Sequence, residues 1–181
     1  MVERKEALAA WAVLEDAARS VDLAVNADED HWRVHWAGSL ALLRAVGHVL
    51  RKVDRERSES HRKCGDEWWK RWDPKKGTEA KPNLFADFIE TERNLVLKQY
   101  EFRFDPAERH GILFLRSSDK LLTRDGKLLF TRSLERFVIT DGAFKDRDGR
   151  ELLRESHRWW AAQLSEIDAR IGALHSTGDR A

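Results

Sequence analysis

The sequence predicts a mainly α-helical fold: a bundle of about four long helices with a small antiparallel β-hairpin inserted before the last helix. Apolar residues recur at helical spacing over most of the chain, and the period shifts toward two only at about residues 111–140. With 181 residues, the chain is long enough to bury a core in one domain. We therefore expect a single domain over residues 1–175 and a disordered tail at residues 176–181.

The first two helices are predicted from long apolar stripes. The first helix spans residues 3–26, and the second starts after an N-cap at Asp28 or Asp30 and continues to about residue 55. Gly47 in the second stripe permits a neighbouring element to approach closely. A row of cations borders that stripe, formed by Arg33, Arg44, His48 and Arg51.

A polar break at residues 55–60, a short helix at 63–72 and an exposed loop at 73–81 lead to a strongly amphipathic helix at 82–104. Its apolar stripe consists of Leu84, Phe85, Phe88, Ile89, Leu95, Val96 and Phe102. Glu92 and Gln99 lie within that stripe. A buried carboxylate must pair with a cation, accept several hydrogen bonds, or raise its pKa and bind a proton.

Short apolar runs with a period near two follow at residues 112–115, 121–123, 127–130 and 137–140. Arg124, Asp125 and Gly126 between two of these runs indicate a hairpin turn, because Asp and Gly tolerate positive φ. Asp148 followed by Glu151 resembles a capping box. The last helix is therefore predicted to run from this point to about residue 174.

The surroundings of Glu92 have a structural and a functional interpretation. In the structural one, Arg44 or Arg51 of the second helix pairs with the carboxylate and specifies how the helices align. In the functional one, a polar pocket between the helices grips a phosphate or polarises a hydroxyl, a task for which Arg is well suited. The residues of that pocket are Glu92, Arg93, Asn94, Gln99, Arg44 and Arg51.

Eight tryptophans accompany a single tyrosine. Seven of them occur in clusters at residues 32 and 36, at 68, 69 and 72, and at 159 and 160, and spacings of three and four place residues on one helix face. Core packing or a subunit interface is the first explanation, and a stacking platform for bases is the alternative. We expect a homodimer that forms through tryptophan-rich faces.

Other chemistries have little support in the sequence. His31 and His35 lie one turn apart, but zinc requires three or four ligands, so we predict no metal site. His48 and His157 are expected to be hydrogen-bonded structural histidines, and Cys64 a plain thiol. The chain has no glycine-rich phosphate loop and no serine nucleophile elbow, and we predict no cofactor.

Composition limits the partners and the location. A net charge of +1 gives no global attraction to nucleic acid or acidic membranes, so any polyanion site has to be local. The single cysteine forbids an internal disulfide. The first residues lack the apolar run of a signal peptide, and no apolar segment approaches bilayer length. We therefore expect a cytoplasmic protein with no membrane partner.

Arg93-Asn94 on a late helix of a helical bundle resembles the HEPN superfamily (higher eukaryotes and prokaryotes nucleotide-binding). The signature of that family is Arg, often followed by Asn, His or Asp, then four to six residues and a His. Many members are metal-independent endoribonucleases of toxin–antitoxin and phage-defence systems that act at a site shared across a dimer, and others are inactive binding partners. The resemblance implies the catalytic arginine at Arg93 and its polar neighbour at Asn94.

The chain departs from this signature where the histidine is expected, because that window holds Lys98, Gln99 and Tyr100. Without an imidazole, no group with a pKa near neutrality is present to take a proton from a ribose 2′-hydroxyl. We therefore expect a non-catalytic relative, an interaction or binding module with an RNA or protein partner.

Two alternatives stay open. In an endoribonuclease, Arg93 stabilises the developing phosphorane, Asn94 orients it, and Tyr100 or His48 carries the proton. In the other alternative, a small ligand or an anion binds in the bundle core between the second and fourth helices.

Overall fold

The computed structural model describes residues 8–27, 29–73, 75, 77–107, 111–112, 130–131 and 136–178. The α-helices in these ranges are α1 (Ala9–Asn26), α2 (Glu29–Lys52), α3 (Glu59–Trp72), α4 (Thr91–Gln99) and α5 (Gly149–Gly178). A 3₁₀ turn at Asp54–Glu56 precedes α3, and a π-helical segment at Leu84–Glu90 leads directly into α4. The prediction of a mainly helical fold is confirmed. None of the helices in the described ranges is long and apolar enough to cross a bilayer.

The core forms around α2, which packs against all four other helices. Its predicted stripe is buried at Trp32, Trp36, Leu40, Leu43, Val46 and Leu50. Val53, the last residue of the predicted stripe, lies beyond the end of α2 and is exposed. The apolar stripes of α1 and α5 pack in the same core as the stripe of α2, as their periodicity predicts.

Most of the tryptophans are core residues. Trp32, Trp36, Trp68, Trp72 and Trp160 are buried. Trp68 stacks on Trp160 with the ring centroids 5.0 Å apart. A Cβ atom at Gly47 would lie 3.0 Å from the Trp160 ring, which confirms the close approach predicted at this glycine. The tryptophan-rich faces of the helices therefore pack in the core.

The helix predicted over residues 82–104 is shorter and has two parts. Asn83 starts the π-helical segment by accepting a hydrogen bond from the Ala86 N–H at 2.7 Å. α4 ends at Gln99 because Tyr100 adopts the left-handed conformation with a φ of 53°, and its N–H donates to carbonyls of the preceding turn. The prediction of one continuous helix is therefore wrong, and Phe104 begins a strand.

Short antiparallel strand pairs follow α4. β1 (Phe104–Ala107) pairs with β4 (Arg136–Ile139), with Phe104 opposite Ile139. β2 (Gly111–Ile112) pairs with β3 (Phe130–Thr131). The predicted turn at residues 124–126 and most of the predicted strands around it lie outside the described residues.

Other helix boundaries also differ from the prediction. α3 begins at Glu59, before the predicted residue 63, because the Ser58 side chain accepts a hydrogen bond from the His61 N–H at 3.3 Å. α2 ends at Lys52. α5 continues to Gly178, beyond the predicted end at about residue 174, and residues 179–181 lie outside the described ranges.

The start of α1 is capped by a residue from a distant part of the chain. Leu8, which precedes the helix, provides no side-chain cap. Instead, the buried Asp54 carboxylate accepts hydrogen bonds from the N–H groups of Ala9 at 2.6 Å and Ala10 at 3.0 Å. A carboxylate at this end satisfies free N–H groups and interacts favourably with the helix dipole. Asp54 thereby ties α1 to the connection between α2 and α3.

We expect Asp54→Ala to lower the free energy of unfolding by about 2–3 kcal/mol, because it leaves two N–H groups of α1 without a charged acceptor. Urea denaturation followed by circular dichroism measures this change. Asp16→Ala is the control, since Asp16 in the same helix forms only an exposed pair with Arg19. It should change the free energy by less than about 0.5 kcal/mol. Equal effects of the two substitutions would contradict the cap.

Candidate binding site

Glu92 lies inside the protein, as its position in the apolar stripe predicts. Only 4% of its surface is exposed, and Phe88 and Ile89 of the preceding π-helical segment and Val96 of α4 are buried like it. Its Oε2 atom is buried and has no hydrogen-bond partner. Within the described ranges, Glu92 also forms no ion pair. A buried polar atom without a partner is costly, so this position is unusual.

Glu92 lines a pocket of about 150 Å³. The helix forms one wall, and the chain that joins β4 to α5 forms the other. Arg103, between α4 and β1, completes the lining. This cavity, the Glu92 pocket, is lined by Asp87, Phe88, Thr91, Glu92, Arg103, Ile139, Asp141, Gly142, Ala143 and Phe144.

Pairing of β1 with β4 brings two charged residues of this pocket together. The Thr140 N–H donates to the Arg103 carbonyl at 3.0 Å, which extends the strand pair by one step. Arg103 Nη1 then lies 3.6 Å from Asp141 Oδ2. The next residue, Gly142, has a φ of +88°, and a Cβ atom there would lie 3.3 Å from Arg103 Nη1. Glycine therefore fits this turn on both conformational and steric grounds.

Two acids of the pocket already have cationic partners. Asp87 Oδ1 lies 3.6 Å from Lys81 Nζ, and Asp141 pairs with Arg103. Of the acidic side chains that line the pocket, all of them in the described part of the chain, Glu92 is the one without an ion-pair partner. The pocket therefore carries an uncompensated negative charge whenever Glu92 is ionised.

Burial raises the pKa of Glu92 from its ordinary value of 4.5 to about 7. Removal from water disfavours the charged form. The Arg103 guanidinium lowers the pKa, whereas the carboxylates of Glu101 and Asp141 raise it further. A buried carboxylate can pair with a cation, accept several hydrogen bonds or raise its pKa. Glu92 has the raised pKa, and it therefore exchanges a proton near neutral pH.

The predicted cationic partners of Glu92 lie elsewhere. Arg44 forms an ion pair with Glu90, and its guanidinium lies 5.4 Å from the centroid of the Phe85 ring. Arg51 lies 4.1 Å from the centroid of the Trp69 ring. The predicted pairing with Arg44 or Arg51 is therefore wrong, because acids two residues apart on a helix point to different faces.

The structure does not bring the other predicted site residues into the Glu92 pocket. Arg93 is half-buried, and its Nη1 donates to Oδ1 of the adjacent Asn94 at 2.9 Å. Gln99 is exposed at the end of α4, so its predicted place on the buried face is wrong. Tyr100 is 75% exposed, and His48 lies on the surface and not in the core.

His31, His35, His157 and Cys64 do not line this pocket. His31 and His35 line an open cavity of about 580 Å³ between α1 and α2. Within the described residues, no three His, Cys, Asp or Glu side chains are grouped so as to hold a metal ion. Burial lowers the pKa of His157. Burial raises the pKa of the Cys64 thiol, in agreement with the prediction of a plain thiol.

Sequence reasoning missed Arg103 and Asp141. The helical prediction extends through Arg103, and the Asp141-Gly142 pair indicates only a turn. The alternation of apolar and charged residues at 102–104 is the local signal that favours an extended chain here. The meeting of Arg103 with Asp141 has no local signal, since it results from pairing across a long insertion.

No family model, curated protein or solved structure matches this chain. The Glu92 pocket is the chemically distinctive feature of the described residues. That chemistry consists of a buried acid that titrates near neutral pH, apolar walls and a neighbouring Arg103–Asp141 pair.

We expect Glu92 to make the protein less stable as pH rises. Its folded-state pKa of about 7 lies above the ordinary value of 4.5, so the folded protein retains a proton that the unfolded chain has already released. One pKa unit corresponds to about 1.4 kcal/mol. Between about pH 5 and about pH 8.5, Glu92→Gln should therefore gain about 2–3 kcal/mol relative to the wild-type protein. Urea denaturation at the two pH values measures this gain.

Glu151→Gln is the matched control for this experiment. Glu151 lies on the exposed start of α5, where it pairs with Arg154. Its substitution removes the same charge and should produce no comparable dependence on pH. A difference between Glu92→Gln and the wild-type protein that is the same at both pH values would contradict the raised pKa.

Proposed function

We propose that this protein is a binding module and that the Glu92 pocket is its binding site. The observation that supports the proposal is the buried Glu92 carboxyl, whose Oε2 atom has no partner although the residue lines a pocket. Buried polar groups in folded proteins are satisfied in the great majority of cases. A ligand that supplies the missing partner offsets the cost of burying this group.

The dimensions of the pocket favour a small ligand or a single side chain. Its volume of about 150 Å³ corresponds to a cavity that holds a molecule the size of benzene. Phe88, Ile139 and Phe144 contribute apolar surface, and Glu92 and Arg103 contribute charged groups. Apolar walls with a few placed polar groups are the usual composition of small-molecule sites.

Arg93-Asn94 resembles the HEPN superfamily, and we propose that this protein is similar to the non-catalytic members of that family. Arg93 Nη1 donates to Oδ1 of Asn94, so the two residues contact each other. Tyr100 and His48 are the two candidate proton carriers, and both are exposed. Tyr100 follows the last residue of α4, and His48 lies on α2. These positions favour a binding protein over a ribonuclease.

The proposal retains two expectations from the sequence, a cytoplasmic location and a homodimer. Because most of the tryptophan side chains are buried in the core, a dimer contact has to use a different surface. Light scattering coupled to size-exclusion chromatography measures the mass in solution, and a monomer at micromolar concentration would remove the homodimer from the proposal.

A thermal-shift screen of nucleotides, inorganic phosphate, carboxylates, alcohols and amines tests the binding function. We expect at least one compound to raise the Tm of the wild-type protein, because a ligand that binds only the folded state stabilises it. Ala143→Trp is the site variant, since Ala143 is exposed and lines the pocket, and a large side chain there fills the cavity without disturbing the core. The stabilisation should be lost in this variant.

Ala169→Trp is the matched control, since Ala169 is exposed on α5 and does not line the pocket. It should keep the full thermal shift. A screen without a stabilising compound, or a compound that stabilises Ala143→Trp as much as the wild-type protein, would remove the Glu92 pocket as the binding site.

We expect structured RNA to remain intact when it is incubated with the protein in the presence of a chelator. The reason is that Glu92 is buried and that the candidate proton carriers Tyr100 and His48 are exposed, His48 on a different helix from Arg93. Denaturing electrophoresis reads the outcome. Cleavage that Arg93→Ala abolishes and Arg154→Ala retains would establish the endoribonuclease alternative instead.

A further inference from the structure

The charges around the Glu92 pocket leave one position open to a cation. Lys81 lies 3.6 Å from Asp87, and Arg103 lies 3.6 Å from Asp141, so these two acids are compensated. Glu92 is more than nine-tenths buried and lines the pocket, and its Oε2 atom has no hydrogen-bond partner. Breaking or omitting one half of a buried ion pair is strongly unfavourable. A ligand cation supplies the half that is missing here.

Apolar side chains form the wall next to this carboxyl. Phe88, Ile139 and Phe144 are buried and line the same pocket. Thr91 adds no free donor, because its hydroxyl donates to the Ala86 carbonyl at 2.9 Å. An acidic group beside an apolar wall matches a short hydrocarbon chain that ends in a cation.

From this arrangement we propose that the Glu92 pocket binds the end of an alkylammonium group. The ammonium pairs with the Glu92 carboxylate, and the hydrocarbon chain lies against Phe88, Ile139 and Phe144. A pocket of about 150 Å³ accommodates about six non-hydrogen atoms, as benzene-binding cavities of that size do. Free small amines and lysine side chains share this chemistry. The assignment rests on the binding function proposed above and specifies its ligand.

An anion fits the same pocket poorly. It would meet the carboxylates of Asp141 and ionised Glu92, while Arg103 is already engaged by Asp141. Like charges at close range in a partly buried site repel each other. A metal ion also fits poorly, because it needs several ligands and the described residues contain no group of three suitable side chains.

Binding is coupled to pH through the proton on Glu92. The charged groups near it are Asp87 from the π-helical segment, Glu101 and Arg103 from the chain after α4, and Asp141 from the turn after β4. From α2, which packs against the same helix, Arg44 is engaged by Glu90. An alkylammonium ion stays protonated near neutral pH, as lysine does. It therefore binds the ionised form of Glu92, and its affinity rises as pH rises.

Titration of the full chain with n-butylammonium, followed by NMR, tests the assignment. n-Butanol and butyrate are probes of similar size with a neutral and an anionic end. We expect n-butylammonium to bind at least tenfold more tightly than either of them. Its affinity should rise about tenfold from pH 6 to pH 8, because the ionised fraction of a group with a pKa of about 7 rises by that factor.

Two variants separate the acid from the cavity. Glu92→Gln should weaken n-butylammonium binding at least tenfold and remove the pH dependence, whereas Glu151→Gln removes an exposed charge and should change neither. Ala143→Trp keeps the acid and fills the cavity, so it should also abolish binding. Retained binding in Glu92→Gln would overturn the proposal.

Other outcomes distinguish the alkylammonium assignment from the broader proposal that the Glu92 pocket is a binding site. Binding of butyrate or n-butanol as tight as that of n-butylammonium, or competition by Mg²⁺ at the same concentration, would overturn the alkylammonium assignment and leave the binding module intact. Failure of every probe here and of every compound in the thermal-shift screen would remove both. Nα-acetyl-lysinamide separates the two sources, since its binding supports a lysine side chain and its exclusion supports a free amine.

Discussion

The stacking of Trp32 on Phe137 holds the candidate site together. The ring centroids are 4.2 Å apart with 10° between the ring planes, and Phe104 meets Trp32 edge-on at 3.9 Å. These side chains come from α2, β4 and β1, so their packing anchors the strand pair to the helical core. The strand pair in turn sets Arg103 beside Asp141. The aromatic contact therefore helps to fix the wall of the pocket opposite the helix, together with the Phe88–Phe144 ring contact.

Keeping Glu92 in these surroundings opposes stability. A buried acid without a partner is costly, and an apolar side chain of similar size removes that cost. A structural explanation through an ion pair with Arg44 fails, because Arg44 meets Glu90. A group that destabilises the free protein and lines a preformed pocket is what a preorganised site requires. For this reason we propose that the binding site lies at Glu92 and not at the adjacent Arg93-Asn94 pair.

The tryptophans and the Arg93-Asn94 pair show that a short sequence pattern predicts which residues share a face but not what that face contacts. Helical spacing correctly places Trp32 and Trp36 on one apolar face, but the same spacing suits a core and an interface between subunits. Packing against Phe137 and other side chains assigns this face to the core. Adjacency likewise shows that Arg93 and Asn94 are neighbours, whereas the direction of each side chain follows from the helix around them. Their hydrogen bond to each other is a property of that helix.

Local periodicity was sufficient to predict the helical class, the buried face of α2 and the burial of Glu92, because each of these follows from the spacing of apolar residues along one element. The same periodicity extended the helix past Tyr100, since a left-handed residue at its end leaves no periodic signal. The residues that lie next to Glu92 are determined by contacts between distant parts of the chain. Arg103 and Asp141 meet through strand pairing across a long insertion, and the hydrogen bonds of such pairing join backbone groups that every sequence possesses.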